Sequence, residues 1–231
     1  PMTGATDILT TSDDDTPSST NSIGFSFTFD GVAYTDYSVS PDGWILLGNG
    51  TAVDEYINSA VSTTNVPKLY PYWDDMATGT NGNVKALVTG SAPNRIFKLE
   101  WNVTVPRNTG GPVNAKFQAW LYETSNRIEY RYGAMSTSSG SATSGYTVNA
   151  TNFSNITFSS NTESKTTAND TNTGVPASGR MYAYDYVPST VTWSPTTDLY
   201  TDSGATVAYT GGAADVVYSK PTATTVYTAT A

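Results

Sequence analysis

Hydrophobic and polar residues alternate along most of this chain with a period of two, the pattern of half-buried β-strands. From Ile23 to Phe29, an isoleucine and three phenylalanines occupy every second position, with Gly, Ser and Thr between them. From Arg95 to Val103, four apolar side chains alternate in the same way with Lys, Glu and Asn. Further strands are predicted at 34–39, 44–48, 84–89, 115–122, 127–132, 146–148, 153–158 and 181–187.

Turn signals separate these predicted strands. Ser40-Pro41-Asp42-Gly43 favours a tight turn, and the polar run Glu123–Asn126 has the length of a hairpin loop. The Ser/Thr/Gly/Ala-rich stretch Ser136–Ser144 predicts a flexible surface loop, and Asn161–Thr173 predicts a polar connection. Many short strands with regular turns and almost no helical periodicity predict an all-β fold, an antiparallel jelly-roll-like β-sandwich.

The texture of the sequence changes after Pro188. Charged residues become rarer, and short strands are predicted at 190–193, 206–209, 216–219 and 225–229. We therefore predict a boundary near Val187–Thr190, with a β-sandwich domain over 1–188 and a second β domain over 189–231. A cysteine-free piece of about 43 residues is marginal for a core of its own, so we expect the start of a truncated domain.

Two residue types are absent from the 231-residue chain, because it contains no Cys and no His. Without thiols there is no disulfide framework, no thiolate nucleophile and no Cys-based metal site. Without imidazole there is no Ser-His-Asp triad, haem ligand or His-based metal centre. The chemistry that remains is that of carboxylates, hydroxyls, amides, cations and aromatic rings.

The charge of the chain narrows its partners. With 11 Lys+Arg and 20 Asp+Glu, the formal net charge is −9, which disfavours binding to nucleic acid or to anionic membrane surfaces. Charged residues make up only 13% of the sequence, and aromatic residues 12% with 16 Tyr, which is typical of extracellular β proteins. The chain has no signal-peptide pattern and no apolar stretch of membrane-spanning length, so we expect a soluble fragment of a longer protein.

Carboxylate catalysis, as in glycoside hydrolysis, requires two acidic groups flanking the scissile bond. Glu100 and Glu129 instead alternate with Lys98 and Arg131, which favours cross-strand ion pairs on a solvated sheet. The Glu-x-Asp-x-x-Glu pattern of jelly-roll glycosidases is missing. We therefore predict no enzymatic activity and no catalytic residues.

Two acidic segments are candidate Ca²⁺ ligands. Asp74 and Asp75 follow Tyr-Trp, and Ca²⁺ prefers several carboxylate and carbonyl oxygens from a loop. The alternative is structural, with Trp73 buried and the two aspartates accepting backbone hydrogen bonds. The run Asp13–Asp15 lacks the spacing of a dedicated calcium loop, which favours a solvated acidic loop. No cofactor is predicted apart from this Ca²⁺ candidate.

Aromatic and polar residues share one face of the predicted strand 115–122. If Phe117, Ala119 and Leu121 point to the core, the opposite face carries Lys116, Gln118, Trp120 and Tyr122. Flat rings beside hydrogen-bonding groups are what a glycan-binding platform needs. The alternatives are that a second sheet or a loop covers this face, or that the register is shifted by one residue.

Five segments form a recognisable series along the chain, namely Tyr37–Gly48, Pro71–Asp75, Leu99–Val103, Phe117–Leu121 and Ile128–Gly133. In this order they resemble segments of the nidogen-type extracellular (NIDO-like) modules, and the resemblance covers about Ile23 to Gly133. It implies an extracellular module that opens with a strand, a turn and a second strand.

Three further elements stand out, Ile23–Phe25, Ser91–Arg95 and the Trp-Asp-Asp element. They resemble a module of very large secreted surface proteins of Bacteroidetes bacteria. The tail from Val191 to Ala229 is similar to the first half of the Ig-like repeats of those proteins. The resemblance implies export by the type IX secretion system. It also implies a role as an adhesin, including gliding-motility adhesins, or as part of a secreted multidomain enzyme.

These observations together predict a non-catalytic adhesion or binding module of a large bacterial cell-surface protein. The alternatives are a carbohydrate-binding module of a secreted enzyme, and a spacer domain. The expected partners are a surface glycan or polysaccharide, another cell-surface protein, and neighbouring domains of the same chain. Nucleic acid and membrane insertion are not expected, and the expected location is extracellular, at the cell surface.

Overall fold

The structure is a computed structural model that describes residues 2–136, 141–186, 191–214 and 216–230. Its described residues form strands, turns and loops without any helix, so the predicted all-β class is confirmed. None of the described segments is a helix long and apolar enough to cross a membrane. The chain divides into two compact units, Pro1–Tyr186 and Val187–Ala231. The predicted boundary at 187–190 lies outside the described residues.

In the first unit, the described residues form thirteen strands in two antiparallel sheets. The six-stranded sheet has the order β1-β6-β7-β8-β9-β13, and the seven-stranded sheet has the order β12-β11-β10-β5-β4-β3-β2. The strands are β1 (Thr6–Leu9), β2 (Asn21–Phe29), β3 (Val32–Val39), β4 (Ile45–Leu47), β5 (Lys68–Trp73), β6 (Asn83–Thr89), β7 (Ile96–Val103), β8 (Ala115–Tyr122), β9 (Ile128–Met135), β10 (Thr143–Asn149), β11 (Asn152–Thr157), β12 (Thr162–Ser164) and β13 (Met181–Tyr184).

The core lies between the two sheets, where alternate side chains of each sheet meet. In β2 every second residue is buried, and Ile23 and Phe27 have no exposure to solvent. Tyr37 of β3 and Phe97 of β7 contact each other across the layers, with ring centroids 4.8 Å apart. This burial of apolar surface is the main stabilising contribution to such a sandwich.

A buried turn joins β3 to β4, and the predicted Ser-Pro-Asp-Gly segment forms it. The Gly43 N–H donates to the Ser40 carbonyl at 3.3 Å. Gly43 has a φ of 81°, and a Cβ at this position would lie 1.8 Å from the Tyr72 carbonyl oxygen. Only glycine fits here, because both the backbone conformation and the close approach of β5 exclude a side chain.

Strand β5 was not predicted, because Pro71 stands in its middle. Proline removes a ladder hydrogen bond and is expected at edges or bulges, yet β5 lies between β4 and β10. The register with β10 shifts between Gly145 and Thr143, opposite the proline, so Pro71 occupies an irregularity in the ladder. The free carbonyl of Pro71 accepts a hydrogen bond of 2.6 Å from the Tyr132 hydroxyl across the core.

Two predicted loops are in part strands. Of the stretch 136–144, residues 137–140 lie outside the described residues, but Thr143 and Ser144 begin β10 and are buried, so a flexible loop is wrong for them. The predicted connection 161–173 contains β12 (Thr162–Ser164). Small polar residues are buried here because they find hydrogen-bond partners, as Thr143 does with Asp170 at 3.0 Å.

In the described part of the second unit there are four short strands, β14 (Thr192–Ser194), β15 (Leu199–Tyr200), β16 (Tyr218–Ser219) and β17 (Thr228–Thr230). They form two separate two-stranded pairs, β14 with β17 and β15 with β16. Leu199 and Tyr209 are buried apolar residues of this part. The predicted strand 206–209 is absent, although Ala208 forms an isolated bridge with Tyr200. The Ig-like assignment stays a prediction.

Candidate functional site

The register of β8 places the four predicted platform residues together. Phe117, Ala119 and Leu121 are buried in the core, so Lys116, Gln118, Trp120 and Tyr122 point away from it. The neighbouring strands β7 and β9 flank this row in register, with Trp120 opposite Lys98 on one side and Glu129 on the other. We call this surface the outer face. Its members are Lys85, Leu87, Lys98, Glu100, Lys116, Gln118, Trp120, Tyr122, Arg127, Glu129 and Arg131.

Trp120 lies at the centre of the outer face and is partly exposed. Lys98 Nζ is 4.1 Å and Arg131 Cζ is 4.0 Å from the centroid of its ring. Its indole N–H donates to Gln118 Oε1 at 2.7 Å, and the ring centroid of Tyr122 is 6.4 Å away. The cations stabilise the orientation of the indole and also occupy part of its π surface.

Glu129 organises one side of the outer face. Its carboxylate accepts hydrogen bonds from the Tyr122 hydroxyl at 2.8 Å, from Arg127 Nε at 2.9 Å and from Arg131 Nη2 at 2.6 Å. Burial tends to raise the pKa of Glu129, but the hydrogen bonds from Arg131, Tyr122 and Arg127 outweigh it and lower the pKa. The group is therefore a carboxylate that holds cations in place.

Glu100 forms the predicted cross-strand ion pairs, with Lys85 of β6 and Lys116 of β8. The ion pairs of Glu129 are not cross-strand, because Arg127 and Arg131 lie two residues away in the same segment of chain. Neither carboxylate is on a solvated surface. Glu100 and Glu129 are only 6% and 5% exposed. Glu100 lies 4.0 Å from Lys85 Nζ and 3.9 Å from Lys116 Nζ, and it accepts a hydrogen bond from Gln118. The long side chains of adjacent strands cover the carboxylates, which sequence alternation alone does not reveal.

A pocket of about 340 Å³ opens beside Trp120. Met181 forms part of its wall, and Gly133 and Gly179 leave room where other residues would carry side chains. Its charged lining residues are Lys116, Arg131 and Arg180. The sequence pattern placed Arg131 on the polar face of its strand, but it contained no signal for Arg180 or Met181, which reach the pocket only through the pairing of β13 with β9.

The predicted metal ligands Asp74 and Asp75 separate. Asp75 joins Asp14 and Asp15, and carboxylate oxygens of the three lie within 4.8 Å of one another. Asp74 is buried and accepts hydrogen bonds of 3.0 Å from the Asp75 N–H and the Ser141 hydroxyl. Trp73 is fully buried, as the structural interpretation expects.

The acidic group extends to Asp42, which is not among the metal ligands predicted from the sequence. Carboxylate oxygens of Asp42, Asp15 and Asp54 also lie within 4.8 Å of one another. Asp42 is completely buried, and this burial raises its pKa to about 8, although hydrogen bonds from the Met76 N–H and the Ser40 hydroxyl act in the opposite direction. Its distant position in the sequence hid it, because the β3–β4 turn carries it to this site.

Arg107 provides positive charge to the same acidic group. Its guanidinium forms two hydrogen bonds with Asp14, and its Nε lies 3.6 Å from Asp75 Oδ1. Burial raises the pKa of Asp75, and repulsion from Asp14 acts in the same direction. The positive charge of Arg107 lowers this pKa but is outweighed by burial. Calcium binding at Asp74 and Asp75 stays a prediction, with Asp14, Asp15 and Asp42 as the neighbours that the fold brings to Asp75.

Comparison with known proteins identifies one family. No curated protein and no solved structure matches the chain. The model of a family described as NIDO related matches residues 1–186, which is the whole first unit and well over half of the 231 residues. The resemblance to NIDO-like modules predicted from five segments is thereby confirmed, and the chain belongs to the NIDO-related family.

Proposed function

We propose that this chain is a non-catalytic, extracellular binding module of adhesion type, and that it binds its partner through the outer face. The observation that carries the proposal is the pocket beside Trp120, where a partly exposed aromatic ring, an amide and three cations line one concave surface. Concave sites with an aromatic wall and a few convergent polar groups are the usual form of ligand-binding sites. Membership of the NIDO-related family supports the extracellular, adhesive role.

Several features support the proposal that the module is non-catalytic. A general acid on the outer face needs a carboxyl group whose pKa is raised towards neutrality, but the pKa of Glu129 is lowered by its hydrogen-bond partners. The sequence has neither His nor Cys to serve as an alternative base or nucleophile. The two carboxylates of the outer face are held in ion pairs, which suits recognition rather than proton transfer.

A carbohydrate-binding module is the second candidate function. The row Gln118, Trp120 and Tyr122 favours it, because amide and hydroxyl groups next to aromatic rings match the alternating polar and apolar surfaces of sugars. The proposed partner of an adhesion module is a surface glycan or polysaccharide, or another cell-surface protein. The proposed partner of a carbohydrate-binding module is a glycan or polysaccharide. The finer assignment to a type IX-secreted adhesin of Bacteroidetes, with a role in gliding motility, is supported by the resemblance of the sequence segments alone.

The experiment that tests the proposal measures binding of the full chain to a glycan array, together with adhesion of coated beads to cells. We expect saturable binding that Trp120→Ala abolishes while circular dichroism and the melting temperature stay unchanged. Glycan-independent bead adhesion that Trp120→Ala also abolishes would favour a protein partner. Trp193→Ala, at a partly buried tryptophan of the second unit, serves as the control. Binding that persists in Trp120→Ala contradicts the outer-face assignment.

A further inference from the structure

The charge of the pocket beside Trp120 is opposite to that of the whole protein. The chain has 20 acidic and 11 basic residues, yet the charged residues lining the pocket are Lys116, Arg131 and Arg180. No aspartate or glutamate lines it within the part of the chain that the structure describes. The net negative charge of the protein repels anions, whereas the local positive charge of this pocket attracts them.

Lys98 adds a fourth cation beside this pocket. It is 7% exposed, and within the described ranges its ammonium has the Trp120 ring as a contact but no hydrogen bond or ion pair. Burial, reinforced by the nearby charge of Arg131, lowers its pKa. A lysine that is more than nine-tenths buried normally pairs with a counter-charge, because desolvation of an isolated ammonium is costly.

The carboxylates of the outer face do not supply that counter-charge. Glu129 is already shared by Arg127 and Arg131, and Glu100 lies about equally far from Lys85 and Lys116, at 4.0 and 3.9 Å. Each carboxylate thus serves two cations. Asp185 also pairs with Arg127. Positive charge still remains in excess around Trp120, which favours an external anion as the partner.

The free donors of the pocket suit an oxyanion. The Arg180 side chain is exposed and forms no hydrogen bond or ion pair with the described residues. Arg131 donates to Glu129 through Nε and Nη2, so its guanidinium is largely committed within the outer face. The planar guanidinium group binds carboxylate, sulfate or phosphate oxygens in a bidentate manner, which makes arginine the preferred residue for such groups.

The size and the apolar part of the pocket suit a sugar ring. Its volume of about 340 Å³ lies at the lower end of the range of small-molecule sites, ~300–1,000 Å³. The sulfur-bearing side chain of Met181 and the indole of Trp120 provide apolar surface, and Gln118 provides an amide. A pyranose ring needs both kinds of contact, whereas a free inorganic anion needs neither.

We propose that the ligand of this pocket is a saccharide unit carrying an oxyanion, a carboxylate or a sulfate, which Arg180 and Lys116 bind while the sugar ring packs against Trp120 and Met181. The inference rests on the proposed binding function and narrows it from glycans in general to acidic glycans. Lys98 and Arg131 hold the indole in position and add positive charge behind it.

The test measures binding of the full chain to saccharides that differ in charge, by calorimetry at physiological ionic strength. The probes are oligogalacturonate, its neutral methyl ester, a sulfated galactan fragment and polyglutamate. Binding of the acid but not of the ester supports a carboxylate ligand, and preferential binding of the sulfated fragment supports a sulfate ligand. Equal binding of acid and ester overturns the inference and leaves the proposed glycan function intact. Equal binding of polyglutamate, or binding of no probe, also overturns it.

Charge-reversal variants locate the interaction. Arg180→Glu combined with Lys116→Glu should weaken binding of the acidic saccharide by about tenfold or more, since two charge-assisted donors are replaced by groups that repel the anion. Lys165→Glu is the matched control, because Lys165 is an exposed lysine beside β12 of the other sheet. The milder variant Arg180→Gln removes the charge but keeps a polar side chain, and it should lose affinity as well. Unchanged affinity in folded Arg180→Gln and in the double variant would refute the assignment.

Discussion

Lys68 Nζ lies 2.5 Å from Glu55 Oε2, although the lysine side chain has no exposure to solvent. The ammonium also lies 3.8 Å from the ring centroid of Trp73 and 5.8 Å from that of Trp44. The indole N–H groups of both tryptophans donate to the Glu55 carbonyl oxygen at 3.0 Å. One residue of the long loop between β4 and β5 (residues 48–67) is thus bound to the seven-stranded sheet through its side chain and its backbone.

Loss of the negative charge at position 55 should therefore destabilise the first unit. Glu55→Gln leaves the Lys68 ammonium buried without a counter-charge, and breaking a buried pair in this way costs ~3–5 kcal/mol. Urea unfolding followed by tryptophan fluorescence measures the change in the free energy of unfolding. Glu163→Gln is the control, because the Glu163–Lys165 pair is exposed and such pairs contribute ~0–1 kcal/mol. Equal effects of the two substitutions would contradict the buried-pair interpretation.

Replacement of both partners should cost less than the sum of the single substitutions. Lys68→Met retains most of the side-chain volume against Trp73 and removes the charge that needs Glu55. In Lys68→Met combined with Glu55→Gln, no buried charge is left unpaired. The double-mutant cycle measures this coupling, and strictly additive losses would argue against it.

The stability of the first unit should pass through a minimum near pH 8. Burial raises the pKa of Asp42 from 3.8 to about 8, so the folded state keeps a proton that the unfolded chain has lost, and stability falls as the pH rises between these values. Burial lowers the pKa of Lys68 from 10.5 to about 8, so stability rises again as the pH increases from about 8 towards 10.5. Urea midpoints measured across this range test the prediction.

Substitution separates the two limbs of this pH profile. Asp42→Asn preserves an acceptor for the Met76 N–H and should reduce the slope of the falling limb. The slope that remains comes from Asp15, Asp74 and Asp75, because burial raises their pKa values as well. Lys68→Met should flatten the rising limb only. A profile that neither variant changes would rule out these two groups as its cause.

Gly43→Ala should destabilise the protein severely. The Cβ would lie 1.8 Å from the Tyr72 carbonyl oxygen, and the backbone has a φ of 81°, so the turn or β5 must move, at a cost of at least about 3 kcal/mol. Gly31→Ala provides the control, since its φ is 76° but no atom lies within 4 Å of the added Cβ. Conformational strain alone predicts about 1–2 kcal/mol there. Comparable losses in the two variants would show that the close contact at Gly43 is unimportant.

The calcium prediction is tested by thermal melts in Ca²⁺ and in chelator. An ion bound only by the native state raises the melting temperature in proportion to the logarithm of its concentration. Asp75→Asn should remove that increase, because Asp75 is the predicted ligand that lies among other carboxylates. Asp36→Asn, at a partly exposed aspartate of β3 outside this group of carboxylates, is the control. An unchanged melting temperature in millimolar Ca²⁺ contradicts the prediction.

Much of the fold could be predicted because local alternation and burial agree. Phe27 and Leu121 stand at alternating positions and are buried, and the predicted outward row from Lys116 to Tyr122 has the register that the structure displays. β5 escaped prediction because Pro71 and a buried lysine break the strand pattern, and long-range pairing compensates for both. The acidic group around Asp75 also escaped, since its members come from separate loops.

The sequence by itself determined the all-β class, the faces of the long strands and the presence of Trp120 among polar groups, because the period-two alternation of a strand is a local property. Only the tertiary structure decided that Arg180 and Met181 complete a pocket with Trp120, and that Lys68 is buried against Glu55. It also decided that the carboxylate of Asp75 groups with that of Asp14 and not with that of Asp74. The physical reason is that strand order and loop paths follow from burial of the whole core. Side chains far apart in the chain acquire their charge environment only once the two sheets pack together.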